Sequence, residues 1–136
     1  MWTIFKTLFK KLLKLLPRRA LTNIDLIKYA KLLKVPHFRG VFMRNELPKR
    51  IKKYETGIVN LDNDWGTGTH WTAYIKNNNN INYFDSFGNL RPPKELITYF
   101  LSDGSRNNIT YNYDTYQSFN DSTCGHLSLQ FIYNNM

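Results

Sequence analysis

Hydrophobic positions follow a helical period in the first third of this chain and a strand-like period in its middle. Over residues 2–16, Phe5, Leu8, Phe9, Leu12, Leu13 and Leu16 form one stripe, while Thr3, Thr7, Lys10 and Lys14 recur on the opposite side. The pattern predicts an amphipathic helix that Pro17 stops. Arg18 and Arg19 follow at its C-terminal end, where the helix dipole favours positive charge. A second helix is predicted over residues 23–34, with Thr22 and Asp25 spaced as a capping box and Leu26, Ile27, Ala30 and Leu33 as its buried face. Pro36 ends it. Residues 35–53 sustain neither period and read as a basic loop anchored by Phe38, Val41, Phe42 and Leu47.

From residue 56 the period shortens. Strands are predicted over 56–61, 70–76 and 81–87, separated by polar turns at 62–68 and 77–80. Pro92 and Pro93 open a helix that runs to about Leu101, and residues 108–113 suit a fourth strand. A short helix opening near Cys124, capped by Ser122 or Thr123, carries Leu127, Leu129, Phe131 and Ile132. The sum is an α+β fold, an antiparallel sheet flanked by helices. It divides into a basic amphipathic helix over residues 1–19 and one globular domain over 20–136.

Charge sharpens that division. The 136 residues carry a formal charge of +9, and 15 of the 19 Lys and Arg fall in residues 1–53. Only Asp25 and Glu46 oppose them there, so this third carries +13 and the remainder −4. With 42% hydrophobic residues a folded body is expected rather than disorder. The longest apolar runs are broken by lysines too early to span a bilayer, and the N-terminus lacks the order of a signal peptide. Cys124 is the only cysteine, which excludes an intramolecular disulfide, argues against a structural zinc site and suits a reducing compartment.

That lone thiol has the surroundings of a nucleophile. Thiol proteolysis needs a thiolate, a base to take its proton, a group to orient the base, and donors for the developing oxyanion. Cys124 lies at a predicted helix start, where free backbone N–H groups favour a thiolate, and Gly125 leaves room beside it for a substrate backbone. His70 heads a strand, with the flat ring of Trp71 next to it as a cover for the imidazole. Asp85 follows on the neighbouring strand, and a hairpin turning at 77–80 sets it across from His70. Gln117, seven residues before Cys124, can supplement the Cys124 backbone N–H.

The order and spacing of these residues resemble the adenain-like endopeptidases, the maturation proteases of adenoviruses, polintons and virophages. Phe38-Arg-Gly-Val-Phe42 resembles the family's phenylalanine-glycine segment, and Gly68-Thr-His-Trp-Thr-Ala-Tyr74 its Gly-x-His-Trp strand. Tyr83-Phe-Asp-Ser-Phe-Gly88 resembles its Phe-Asp-Pro-Phe-Gly motif, with Ser86 in place of proline. Gln117 to Gly125 resembles its Gln-x6-Cys-Gly. The match covers residues 35–136. It implies a papain-like fold with circularly permuted order, shared with SUMO and ubiquitin-like proteases. His70, Asp85 and Cys124 would then be the triad and Gln117 the oxyanion-hole residue. It further implies protein substrates such as viral capsid and core precursors, residence in the virion and infected cell, and no cofactor for the chemistry itself. DNA and a viral peptide stimulate the adenoviral members. Cys124 is the only cysteine, so a disulfide-linked peptide has no second thiol to join.

The first helix lies outside the resemblance. Its lysines suit either a solvated face or an anionic membrane, with Trp2, Phe5 and Phe9 facing the bilayer. The basic residues from Lys28 to Lys53 suit one phosphate-binding surface for nucleic acid. Two other functions stand beside the endopeptidase: a SUMO or ubiquitin-like isopeptidase, and a membrane-binding basic protein built on a non-catalytic protease scaffold.

Overall fold

A computed structural model describes Lys14 and residues 16–62, 70–116 and 122–135. The predicted N-terminal helix lies outside the described residues, apart from Lys14 and Leu16.

The first described helix, α1 (Asn23–Leu32), starts where expected. Thr22 Oγ1 accepts from the Asp25 N–H at 3.2 Å, and Asp25 Oδ2 accepts from the Thr22 N–H at 2.9 Å, closing both halves of the capping box. Arg19 pairs with the same carboxylate at 2.8 Å, and that hydrogen bond brings the Asp25 pKa down to about 2. Leu26, Ala30 and Leu33 are buried as expected. Ile27 is exposed instead, and Tyr29 takes its place in the core.

Among the described residues, five strands form one sheet in the order β1-β2-β3-β4-β5. They are β1 (Phe38–Met43), β2 (Tyr54–Asn60), β3 (Trp71–Asn77), β4 (Asn80–Phe84) and β5 (Asn108–Tyr111). The central pairs β2–β3 and β3–β4 are antiparallel hairpin partners, as the sequence pattern predicts. The outer pairs β1–β2 and β4–β5 are parallel, so the sheet is mixed rather than antiparallel throughout. Part of the expected loop at 35–53 is therefore a strand. A parallel neighbour requires a crossover. The segment 44–53 makes the first, and α2 (Lys94–Phe100) makes the second.

Both crossovers cover one face of the sheet, where Leu47, Ile51, Leu96, Tyr99 and Phe100 pack with Val59, Tyr74, Ile81 and Tyr83. The other face carries α1 and α3 (Cys124–Asn134), with Leu26, Ala30, Leu129 and Ile132 packed on Ile58, Trp71, Ala73 and Phe84. Strand β2 is buried from Glu55 to Asn60, as a strand covered on both sides must be. Its one buried charge is fully bonded. Glu55 accepts from Arg39 at 2.9 Å, from the Tyr74 hydroxyl at 2.6 Å, from the Tyr99 hydroxyl at 2.5 Å and from the Lys52 N–H at 3.1 Å.

Candidate active site

Three of the four residues singled out in the sequence meet where β3 begins, β4 ends and α3 begins. His70 immediately precedes β3, Asp85 immediately follows β4, and Cys124 is the first residue of α3. Gln117 lies outside the described residues.

The β3–β4 register pairs Asn77 with Asn80 and Ala73 with Phe84. Continued past the strand ends, it sets Phe87 opposite His70 and leaves Asp85 on the diagonal, two residues from the expected partner position. Phe87 then does what Trp71 was expected to do. Its ring lies parallel to the His70 imidazole, with centroids 4.1 Å apart and planes within 3°. The Trp71 ring turns into the core, where its indole N–H donates to the Leu21 carbonyl at 2.8 Å.

Asp85 is held by its own turn and by a neighbour that local pattern does not mark. The Gly88 N–H closes the turn onto the Asp85 carbonyl at 2.9 Å, and the Phe87 N–H donates to Asp85 Oδ1 at 3.0 Å. Gly88 has φ +81°, and a side chain there would meet the Asp114 carbonyl oxygen at 2.5 Å. Asn112 binds the Asp85 backbone twice. Its Oδ1 accepts the Asp85 N–H at 2.9 Å, and its Nδ2 donates to the Asp85 carbonyl at 2.7 Å. Only the parallel β4–β5 register brings Asn112 there, so sequence spacing carried no signal for it.

The carboxylate so held sets the histidine. His70 Nε2 lies 2.8 Å from Asp85 Oδ1, and a carboxylate only accepts, so Nε2 carries the proton and Nδ1 is left for the thiol. Burial pushes the imidazole pKa down. The Asp85 and Cys124 hydrogen bonds and charges outweigh that and raise it to about 9. Burial likewise pushes the Cys124 thiol up, but the His70 hydrogen bond, the Trp71 N–H at 3.4 Å and the imidazolium charge bring it below its ordinary value. Both shifts favour a thiolate–imidazolium pair over the neutral one.

Two expectations about α3 need correction. Thr123 occupies the N-cap position without a side-chain cap hydrogen bond. Gly125 is buried, and a Cβ on it would lie 3.1 Å from Leu21 Cβ, so its small size admits the N-terminal segment rather than a substrate backbone. Among the described residues, no group of three or more His, Cys, Asp and Glu could hold a metal ion. No described helix is long and apolar enough to cross a membrane.

No protein-family model matches the chain, and no curated protein does. Solved structures do. The ASFV pS273R protease is similar over 88% of this chain and 58% of its own, at 20% identity and a TM-score of 0.58. The SUMO protease Ulp1, solved with its catalytic cysteine oxidized to a sulfinic acid, is similar over 88% of this chain and 68% of its own, at 17% identity and a TM-score of 0.54. The chain has the fold of these cysteine proteases. It is the α+β, papain-like fold that the motifs implied, here over 58% of the length of the ASFV protease.

Proposed function

We propose that this chain is a cysteine endopeptidase of adenain-like type, with Cys124 as nucleophile, His70 as general base and acid, and Asp85 orienting His70. The observation that carries this reading is the continuous line Asp85–His70–Cys124, in which the carboxylate fixes the imidazole at 2.8 Å and the imidazole is hydrogen-bonded to the thiol.

The chemistry follows from the geometry. The Cys124 thiolate attacks the carbonyl carbon of the scissile amide, and the carbonyl π pair moves onto oxygen. The Cys124 backbone N–H, in the first turn of α3 and so without a helical partner, is a donor for that oxyanion. Gln117 is the second donor in this proposal. Collapse of the tetrahedral adduct breaks the C–N bond as imidazolium gives its proton to the leaving amine. Water, deprotonated by neutral His70, then attacks the thioester and restores the thiol.

Substrates are polypeptides, and viral capsid and core precursors are the class the motif resemblance points to. The likeness to Ulp1 supports a second reading, a ubiquitin-like isopeptidase. The first test is alkylation of Cys124 by iodoacetamide at pH 6, followed by mass. The wild-type protein is expected to react at least tenfold faster than His70→Ala, and equal slow rates in the two would remove the basis for a protease. Cleavage of a peptide library against a ubiquitin-like fluorogenic substrate then separates endopeptidase from isopeptidase, with Cys124→Ala inactive on both.

A further inference from the structure

The segment that leads into α1 touches the setting of the thiol at three places. The Pro17 carbonyl accepts from His126 Nε2 at 2.8 Å, two residues beyond Cys124 on α3. Leu21 presses against Gly125, the residue after the thiol, and its carbonyl holds the Trp71 indole. Trp71 in turn gives its backbone N–H to Cys124 Sγ. Leu16 and Leu21 are buried in the same core cluster as Trp71 and Cys124. Midway along the segment, the exposed Arg19 pairs with Asp25 of α1 at 2.8 Å. A carbonyl oxygen only accepts, so His126 carries its proton on Nε2. Among the described residues its buried Nδ1 has no hydrogen-bond partner, which leaves the Pro17 bond as the ring's polar tie there.

We propose that residues 17–21 are a positioning strap for the active site, with His126 and Leu21 as positioning residues. The strap holds the first turn of α3 and the Trp71 backbone in register, and so sets where the Cys124 sulfur lies relative to His70. The inference rests on the protease reading of that site. It gives the N-terminal third a role in the chemistry apart from any charge it carries, and it explains a glycine at position 125 by the approach of Leu21.

The test is the rate of Cys124 alkylation by iodoacetamide from pH 5 to 9 in the full chain, with folding followed separately by circular dichroism. His126→Leu removes the tie to Pro17. It is expected to slow alkylation at pH 6 about tenfold and to move the onset of fast reaction to higher pH. His126→Gln places an amide N–H near the lost Nε2–H and is expected to restore most of the rate, which a merely space-filling role would not predict. Leu21→Ala is expected to shift the profile in the same direction, by less. A folded His126→Leu protein with the wild-type profile would overturn the strap. If that variant does not fold, an unchanged Leu21→Ala profile overturns it instead. A wild-type protein without fast, His70-dependent alkylation removes the protease reading and the strap with it. Activated wild type with unaltered variants removes the strap alone.

Discussion

At the scale of single residues, the pH dependence follows from the two shifts at the site. The reactive form is the ion pair, with Cys124 deprotonated and His70 protonated. Cys124 titrates below the usual thiol range because the hydrogen bonds and imidazolium charge outweigh its burial. His70 stays protonated until about pH 9, because its bonds and charges outweigh burial. Raising the pH therefore first creates the ion pair and then destroys it as the imidazolium is lost near pH 9. A bell-shaped kcat/KM is expected, its alkaline limb near pH 9 belonging to the coupled pair. Asp85→Asn removes the charge that keeps His70 protonated and offers an amide that can turn its N–H toward Nε2. The alkaline limb should then fall toward the ordinary histidine range near pH ~6.5, with kcat down by roughly 10²–10⁴. A rate profile for Asp85→Asn that keeps its alkaline limb near pH 9 would mean that Asp85 does not hold the imidazolium.

At the scale of elements, what was legible in the sequence is what local pattern determines. The capping box of α1, the Asn-rich hairpin and the start of α3 are written in neighbouring residues, and each appears within a residue or two of its expected place. Strand β1 was not legible, because all six of its residues are half-buried, which erases alternation, and its partner is parallel and distant in sequence. The stacking of Phe87 on His70 depended on a register that a one-residue error in the hairpin centre, two residues at the partner position, conceals. Asn112 depended on the pairing of β4 with β5. Gly57 belongs to the same class, since its purpose is visible only across the β2–β3 ladder, where it pairs with Tyr74. A Cβ there would lie 2.5 Å from the Tyr74 ring, which stands where its hydroxyl reaches Glu55. Gly57→Ala must move that ring or the strand, loosening both the packing and the buried carboxylate's partners. A loss of about 1–3 kcal/mol in denaturant unfolding is expected. A change under ~0.5 kcal/mol would show that the sheet yields without cost at this point.

At the scale of the whole molecule, charge and chemistry are segregated. The +13 of residues 1–53 sits on the elements ahead of the hairpin, while the residues assigned to catalysis come from the mildly acidic remainder. The fold removes one cation from the phosphate-binding surface expected there, because Arg39 is committed to buried Glu55. Lys28, Lys31, Lys49, Arg50, Lys52 and Lys53 keep their charge toward solvent or at its border. The last four belong to the 44–53 crossover, on the sheet face opposite α1, where a cavity of about 520 Å³ is lined by Arg44, Lys49 and Lys94 with Glu95 among them. A polyanion such as duplex DNA would meet these charges without base-specific contacts, and its affinity would come from released counterions. With about four phosphates neutralised, affinity should fall roughly 10²-fold between 50 and 200 mM salt, and similarly for unrelated sequences. Lys28→Glu with Lys31→Glu should weaken binding further and flatten that slope, while leaving Cys124 alkylation without DNA unchanged, since neither side chain touches the site. Binding that is indifferent to salt, or that survives the double reversal intact, would exclude this surface. The charge of the N-terminal third would then have to act through the helix expected over residues 2–16, whose apolar stripe and lysines suit an anionic bilayer rather than a phosphate backbone.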